Sequence, residues 1–232
     1  MEAPPIEQQF CAALLAEAEL ASYLDGMTGW IIAAAELRIP RESSFAAHRM
    51  VVVANPQREA VRQLNGLASW YDQQGQRWRH KPIGYLRTDR LRGYDTLTHP
   101  RTFMPINGAA LGSRDVGPAI ERGAMKVLTE GLSEHSVTAR LAPALDAMRR
   151  INALSEGPEG GSGLPYPFLG FGPNSNSFFA TMLYVMDFEA PAFARPAHVV
   201  PGARGLLLPR AVLDEIRAAP SPAPPLNKSA RL

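Results

Sequence analysis

"AAHRMVVVANPQREAVRQLNGLASWY", Ala46 to Tyr71, is the stretch on which the fold class turns. Its β-branched run from Met50 to Val53 stops at the turn pair Asn55-Pro56, and an alternating segment through Val61, Gln63 and Asn65 follows, the pattern of a β-hairpin. "KPIGYLRTDRLRGYDTL" continues the style, with Ile83, Tyr85 and Leu91 in short segments broken by Gly and Asp. An antiparallel meander over Ala47 to Leu97 is therefore expected.

Helical spacing flanks it. Ile6, Phe10, Leu14, Leu20 and Leu24 recur at nearly helical intervals, and a second short helix is expected through Trp30 to Leu37, ending before Pro40. Leu141, Leu145, Met148 and Ile151 predict a helix over 137–154, with Pro143 in its first turns, where proline is tolerated. Phe178, Met182, Val185 and Met186 give another helical face. Ala119 to Leu128 is long enough for an element of undetermined type. The class is α+β, an antiparallel meander packed against helices. Its parts are an N-terminal helical segment (1–40), an α+β domain (41–210) and a mostly disordered Pro-rich tail (211–232).

Composition excludes several functions. The formal net charge of +2 comes almost wholly from arginine and is weak as a nucleic-acid footprint. Cys11 is the only cysteine, so neither an intrachain disulfide nor a thiol zinc site can form, and its apolar pattern reads as a small buried residue. The histidines lack metal-ligand spacing, the glycine-rich run at 157–163 lacks the Lys-Ser/Thr ending of a phosphate loop, and no cofactor is implied. "MEAPPIEQQF" lacks the basic and apolar regions of a secretory signal, which leads to the expectation of a cytoplasmic protein or one exported without a cleaved signal, not an integral membrane protein.

The chemistry-bearing segment is "GPNSNSFF", after the long Gly/Pro-rich loop of 155–173. Ser175 stands at a helix start, where free N–H groups and the positive dipole end suit a nucleophile or an anion. Ser and Asn are also the preferred N-cap residues, so a purely structural role is equally physical. His48 opens an apolar strand, where an imidazole can face a cleft as general base, and Asn65 on the next strand could orient it or simply form a turn before Gly66. "RWRHK" with Arg87, Arg90 and Arg92 is a basic cluster interleaved with Trp78 and Tyr85, either a contact for anions or a solvated hairpin face.

The order of a histidine at a strand start, a polar residue on the next strand, then Asn-nucleophile-x-x-Phe at a helix start resembles the circularly permuted papain-like fold. That group includes permuted NlpC-type peptidoglycan amidases and lecithin:retinol acyltransferase relatives. The resemblance implies His48 as base, Asn65 as its orienting partner and Ser175 as nucleophile, flanked by Asn174 and Phe178. N–H groups around Asn176 and Ser177 would meet the oxyanion. It implies hydrolysis of an amide or ester, with peptidoglycan peptides first and lipid esters second, and an exported effector whose cognate inhibitor or secretion partner is unknown.

Ser175 stands where that pattern has cysteine, and a serine hydroxyl, unlike a thiol at a helix start, does not ionise near neutral pH. A working serine enzyme, a natural inactivation and an engineered replacement remain open, and the competing class is a binding domain that keeps the fold without catalysis.

Overall fold

A computed structural model describes residues 28–39, 46–55, 57, 60–81, 83–104, 116–154, 163–167, 171–193, 202 and 205–219. The helix expected over Ile6 to Leu24, Cys11 and the end of the tail lie outside them. Strands β1 (Trp30–Ile39), β2 (Ala46–Asn55), β3 (Ala60–Asp72), β4 (Arg77–Lys81), β5 (Arg90–Asp95), β6 (Met125–Leu132) and β7 (Leu164–Pro165) form one antiparallel sheet in the order β6-β1-β2-β3-β5-β7. Helices α1 (Val116–Glu121), α2 (Glu134–Ala153), α3 (Ser175–Val185) and α4 (Arg210–Ala218) pack on it, and the class is α+β.

The expected hairpin is present: β2 pairs antiparallel with β3, from Val51 opposite Leu64 to Asn55 opposite Ala60. The rest is not a simple meander, because β4 and β5 both pair with β3. Ala68 and Ser69 pair with both, which places β4 and β5 on opposite edges of β3. Leu64 likewise pairs with both β2 and β5, so β2 and β4 share one edge. Between them that edge of β3 stays open at 65–67, where the first half of β2 parts from it.

Three expectations are corrected. Trp30 to Leu37 is not a helix but most of β1, a central strand buried without interruption from Ile31 to Leu37. A strand covered on both faces shows a continuous apolar run rather than alternation, and its alanines imitate a helix former while allowing both layers to approach closely. Pro143 lies inside α2 rather than in its first turns, because the helix starts earlier, on Ser133, whose side chain accepts from the Ser136 N–H at 3.0 Å. The segment from 211 is not disordered throughout, since α4 buries Leu213 and Ile216 in the core. The undetermined stretch from Ala119 to Leu128 divides between the end of α1 and the start of β6.

Two cores cover the two faces. The first joins Val51, Val53, Leu64, Ala68 and Leu91 to α2, α3 and α4. The second joins Met50, Val52, Ala54, Leu67 and Tyr94 to Met104 and α1. Gly66 and Gly93, paired across β3 and β5, form the seat for Phe178, and a Cβ at either would come within 2.5 Å of that side chain. Asn65-Gly66 is thus no turn; it lies inside β3, where glycine makes room for the helix.

Candidate active site

Strand alternation puts His48 beside Met50 and Asn65 beside Leu67 on the second face, at the place where β2 and β3 part. His48 is 1 % exposed and Asn65 fully buried. His48 Nε2 and Asn65 Oδ1 are 3.5 Å apart, at the long limit for a hydrogen bond.

The polarity of this pair follows from its neighbours. Gln63 is locked against the Met104 backbone: Met104 N–H donates to Oε1 at 2.9 Å, and Nε2 donates to the Met104 carbonyl at 2.9 Å. Gln63 Oε1 therefore accepts from Asn65 Nδ2 at 3.0 Å, and that amide also donates to the Thr102 carbonyl at 3.1 Å. With both its N–H groups engaged, Asn65 can present only its oxygen to His48. Nε2 must carry the proton, which leaves Nδ1 as a lone pair, buried and without a hydrogen-bond partner. Burial lowers the His48 pKa from 6.5 to about 4, with the Asn65 contact opposing the shift, so the ring is a neutral base at pH 7.

α3 begins beside this pair. Asn174 is its N-cap, its side chain accepting from the Asn176 and Ser177 N–H groups at 2.8 and 3.3 Å. Ser177 completes a capping box by accepting from the Asn174 N–H and donates to the Gly202 carbonyl at 2.9 Å. Asn176 reaches across the sheet opening, where its Nδ2 donates to the Ala47 carbonyl at 3.0 Å and its Oδ1 accepts from the Arg49 N–H at 3.0 Å. It occupies the backbone groups on either side of His48 that β3 leaves unpaired.

Ser175 is the remaining member of the quartet. It is 5 % exposed, with the Tyr166 phenol beside its hydroxyl and backbone and beside the Gly84 backbone. Burial pushes the Tyr166 pKa up, against the pull of these polar neighbours. The Tyr166 N–H donates to the Asp89 carbonyl at 2.9 Å, and the ring lies so close over Gly84 that a Cβ there would come within 2.3 Å. Asp89 shapes this seat, its carboxylate accepting from the Tyr85 and Leu86 N–H groups and pairing with Lys81 at 2.8 Å.

The structure thus brings His48 to Asn65 and anchors the start of α3 to the strand bearing His48. It makes no hydrogen bond between Ser175 and His48, because Nδ1 has no partner. The expectation that the Asn176 and Ser177 N–H groups receive an oxyanion is corrected, since both are spent on the Asn174 cap. Gln63, Thr102 and Tyr166 were not singled out from sequence. Gln63 lies two residues before Asn65 on the same strand face, a signal that was legible, whereas Tyr166 follows a Gly/Pro-rich loop that predicts no direction for it.

Among the described residues no group of His, Cys, Asp and Glu is arranged to hold a metal, and no helix is long and apolar enough to cross a membrane. The chain matches no protein-family model, no curated protein and no solved structure.

Proposed function

We propose that the protein is a hydrolase using nucleophilic acyl chemistry on an amide or ester, with peptidoglycan peptide amides as the leading substrate class. The observation that carries this reading is the hydrogen-bond chain in which His48 Nε2–H donates to Asn65 Oδ1, Asn65 Nδ2–H to Gln63 Oε1 and Gln63 Nε2–H to the Met104 carbonyl, leaving a buried, unpartnered lone pair on His48 Nδ1. Leaving such an atom unsatisfied costs about 1–3 kcal/mol, a cost that makes sense where the atom has work to do.

In this reaction Ser175 Oγ attacks the acyl carbon as its proton passes to His48 Nδ1. The tetrahedral oxyanion takes hydrogen bonds from the Ser175 N–H and the Tyr166 hydroxyl. The C–N or C–O bond breaks as His48 returns the proton to the leaving amine or alcohol. Water, deprotonated by the same nitrogen, then cleaves the acyl-enzyme and regenerates Ser175. A neutral base suits a serine, because proton removal must accompany attack. An exported antibacterial role with a cognate inhibitor is the biological setting that the peptidoglycan reading implies.

The second reading is a non-catalytic binding domain, favoured by the missing hydrogen bond between Ser175 and His48, whose Nδ1 has no partner. The two separate on mass spectrometry of purified sacculi and model amides incubated with wild type, Ser175→Ala and Ser175→Cys. The enzyme releases products that Ser175→Ala does not, and a fluorophosphonate labels wild type alone of the two. Absence of labelling, with no activity gained in Ser175→Cys, establishes the binding domain instead.

A further inference from the structure

The second face of the sheet is covered unevenly among the described residues. α1 and Met104 pack against Met50, Val52, Ala54 and Leu67, while the outer part, over β3, β4 and β5, floors a cavity of about 690 Å³. That is the size of a small-molecule site. Its described lining includes four arginines and two histidines, with Trp70, Trp78 and Tyr94, and no carboxylate. Asp72 does neutralise Arg79, at 2.9 Å, from outside this lining.

The rings and cations are ordered by one another. Trp78 stands edge-on to Tyr71 at 5.6 Å, and the Arg92 guanidinium stacks over the Trp78 ring at 4.3 Å. His80 is held by the Arg101 carbonyl at 2.9 Å and lies 5.9 Å from the Tyr94 ring, which also meets His99 at 5.6 Å. Ser69 and Tyr94 hydrogen-bond at 2.8 Å beneath them. Flat faces pre-set beside guanidinium groups provide stacking and bidentate anion contacts together. The partly buried setting screens such charges less than open water does.

We infer that this cavity binds a small organic anion carrying a flat ring, the ring stacking on Trp78 and the anionic group meeting Arg92 and Arg101. The site is independent of Ser175 and stands whether or not the chain is a hydrolase. It touches the candidate active site at one point: Thr102 lines the cavity and gives its carbonyl to Asn65 Nδ2.

The test is calorimetric titration of the full chain with adenosine monophosphate and with benzoate, a ring-bearing phosphate and a ring-bearing carboxylate, against adenosine and inorganic phosphate. One of the first two is expected to bind saturably and at least tenfold more tightly than adenosine or phosphate, and which one does so identifies the anionic group. Trp78→Leu and Arg101→Gln are each expected to weaken it about tenfold, the exposed Arg101→Gln with an unchanged melting temperature. The inference is overturned if neither ring-bearing anion binds, if phosphate alone binds as tightly, or if Arg101→Gln changes nothing. It is also overturned if a single-stranded oligonucleotide binds far more tightly than the monophosphate with a steep salt dependence, which would identify a nucleic-acid interface.

Discussion

His48 joins stability to acidity through one buried ring. Its pKa in the fold, about 4, lies below the 6.5 of the exposed side chain, so between these values the unfolded chain binds more protons than the folded one. Its contribution is complete above pH 6.5 and is lost as the pH falls, amounting to roughly 3 kcal/mol near pH 4. Chemical denaturation from pH 7 to 4 will show this slope, and His48→Gln will flatten it. If His48 is the base, the acid limb of fluorophosphonate labelling will fall near pH 4 rather than 6.5. Asn65→Ala takes away one of the two donors to Gln63 Oε1 as well as the partners of the Thr102 carbonyl and the ring. Its expected cost is about 1–3 kcal/mol with a slower labelling rate, checked by urea melts and stopped-time labelling. The His48 and Asn65 pair was legible because strand alternation and turn signals are local. The use of Asn174, Asn176 and Ser177 was not, because a cap, a clamp and an oxyanion donor use the same residue types, and only position tells which atom is already engaged.

Among the elements, α3 is placed by a seat and a clamp. The seat is the glycine pair under Phe178, so Gly66→Ala forces the ring or the helix aside and will lower stability by about 1–3 kcal/mol in denaturant melts. The clamp is Asn176, and Asn176→Ala leaves the Arg49 N–H without its side-chain acceptor. Amide exchange should accelerate at Arg49, while Val52, in the part of β2 that faces β3, stays protected. Sequence patterning made α2, α3 and the β2–β3 hairpin readable, through a wet face in α2, the Asn-Ser start of the nearly all-buried α3 and the turn pair of the hairpin. It misread β1 because burial on both faces erases the period that separates strand from helix.

Across the whole molecule, the boundary of the folded unit lies beyond where composition placed it. α4 buries Leu213 and Ile216 against the first core, so a chain ended after Pro209 should lose about 3–6 kcal/mol relative to one ended after Ala219, measured by thermal and urea unfolding. Sequence alone could not show this, because a short amphipathic helix among prolines has the composition of a tail and reveals itself only by what it covers. The split sheet was equally hidden: nothing local announces that one strand edge is shared by two partners with an opening between.

The reach of Asn176 has a consequence in time as well as in space. Its partner at Arg49 is 127 residues earlier in the chain, so while the protein is being synthesised the hairpin can close long before the first half of β2 finds its acceptor. On the ribosome His48 waits beside an unfinished strand edge until Asn176, 127 residues after Arg49, has emerged. The strand edge on either side of His48 is therefore closed late, by the same helix start that carries Ser175.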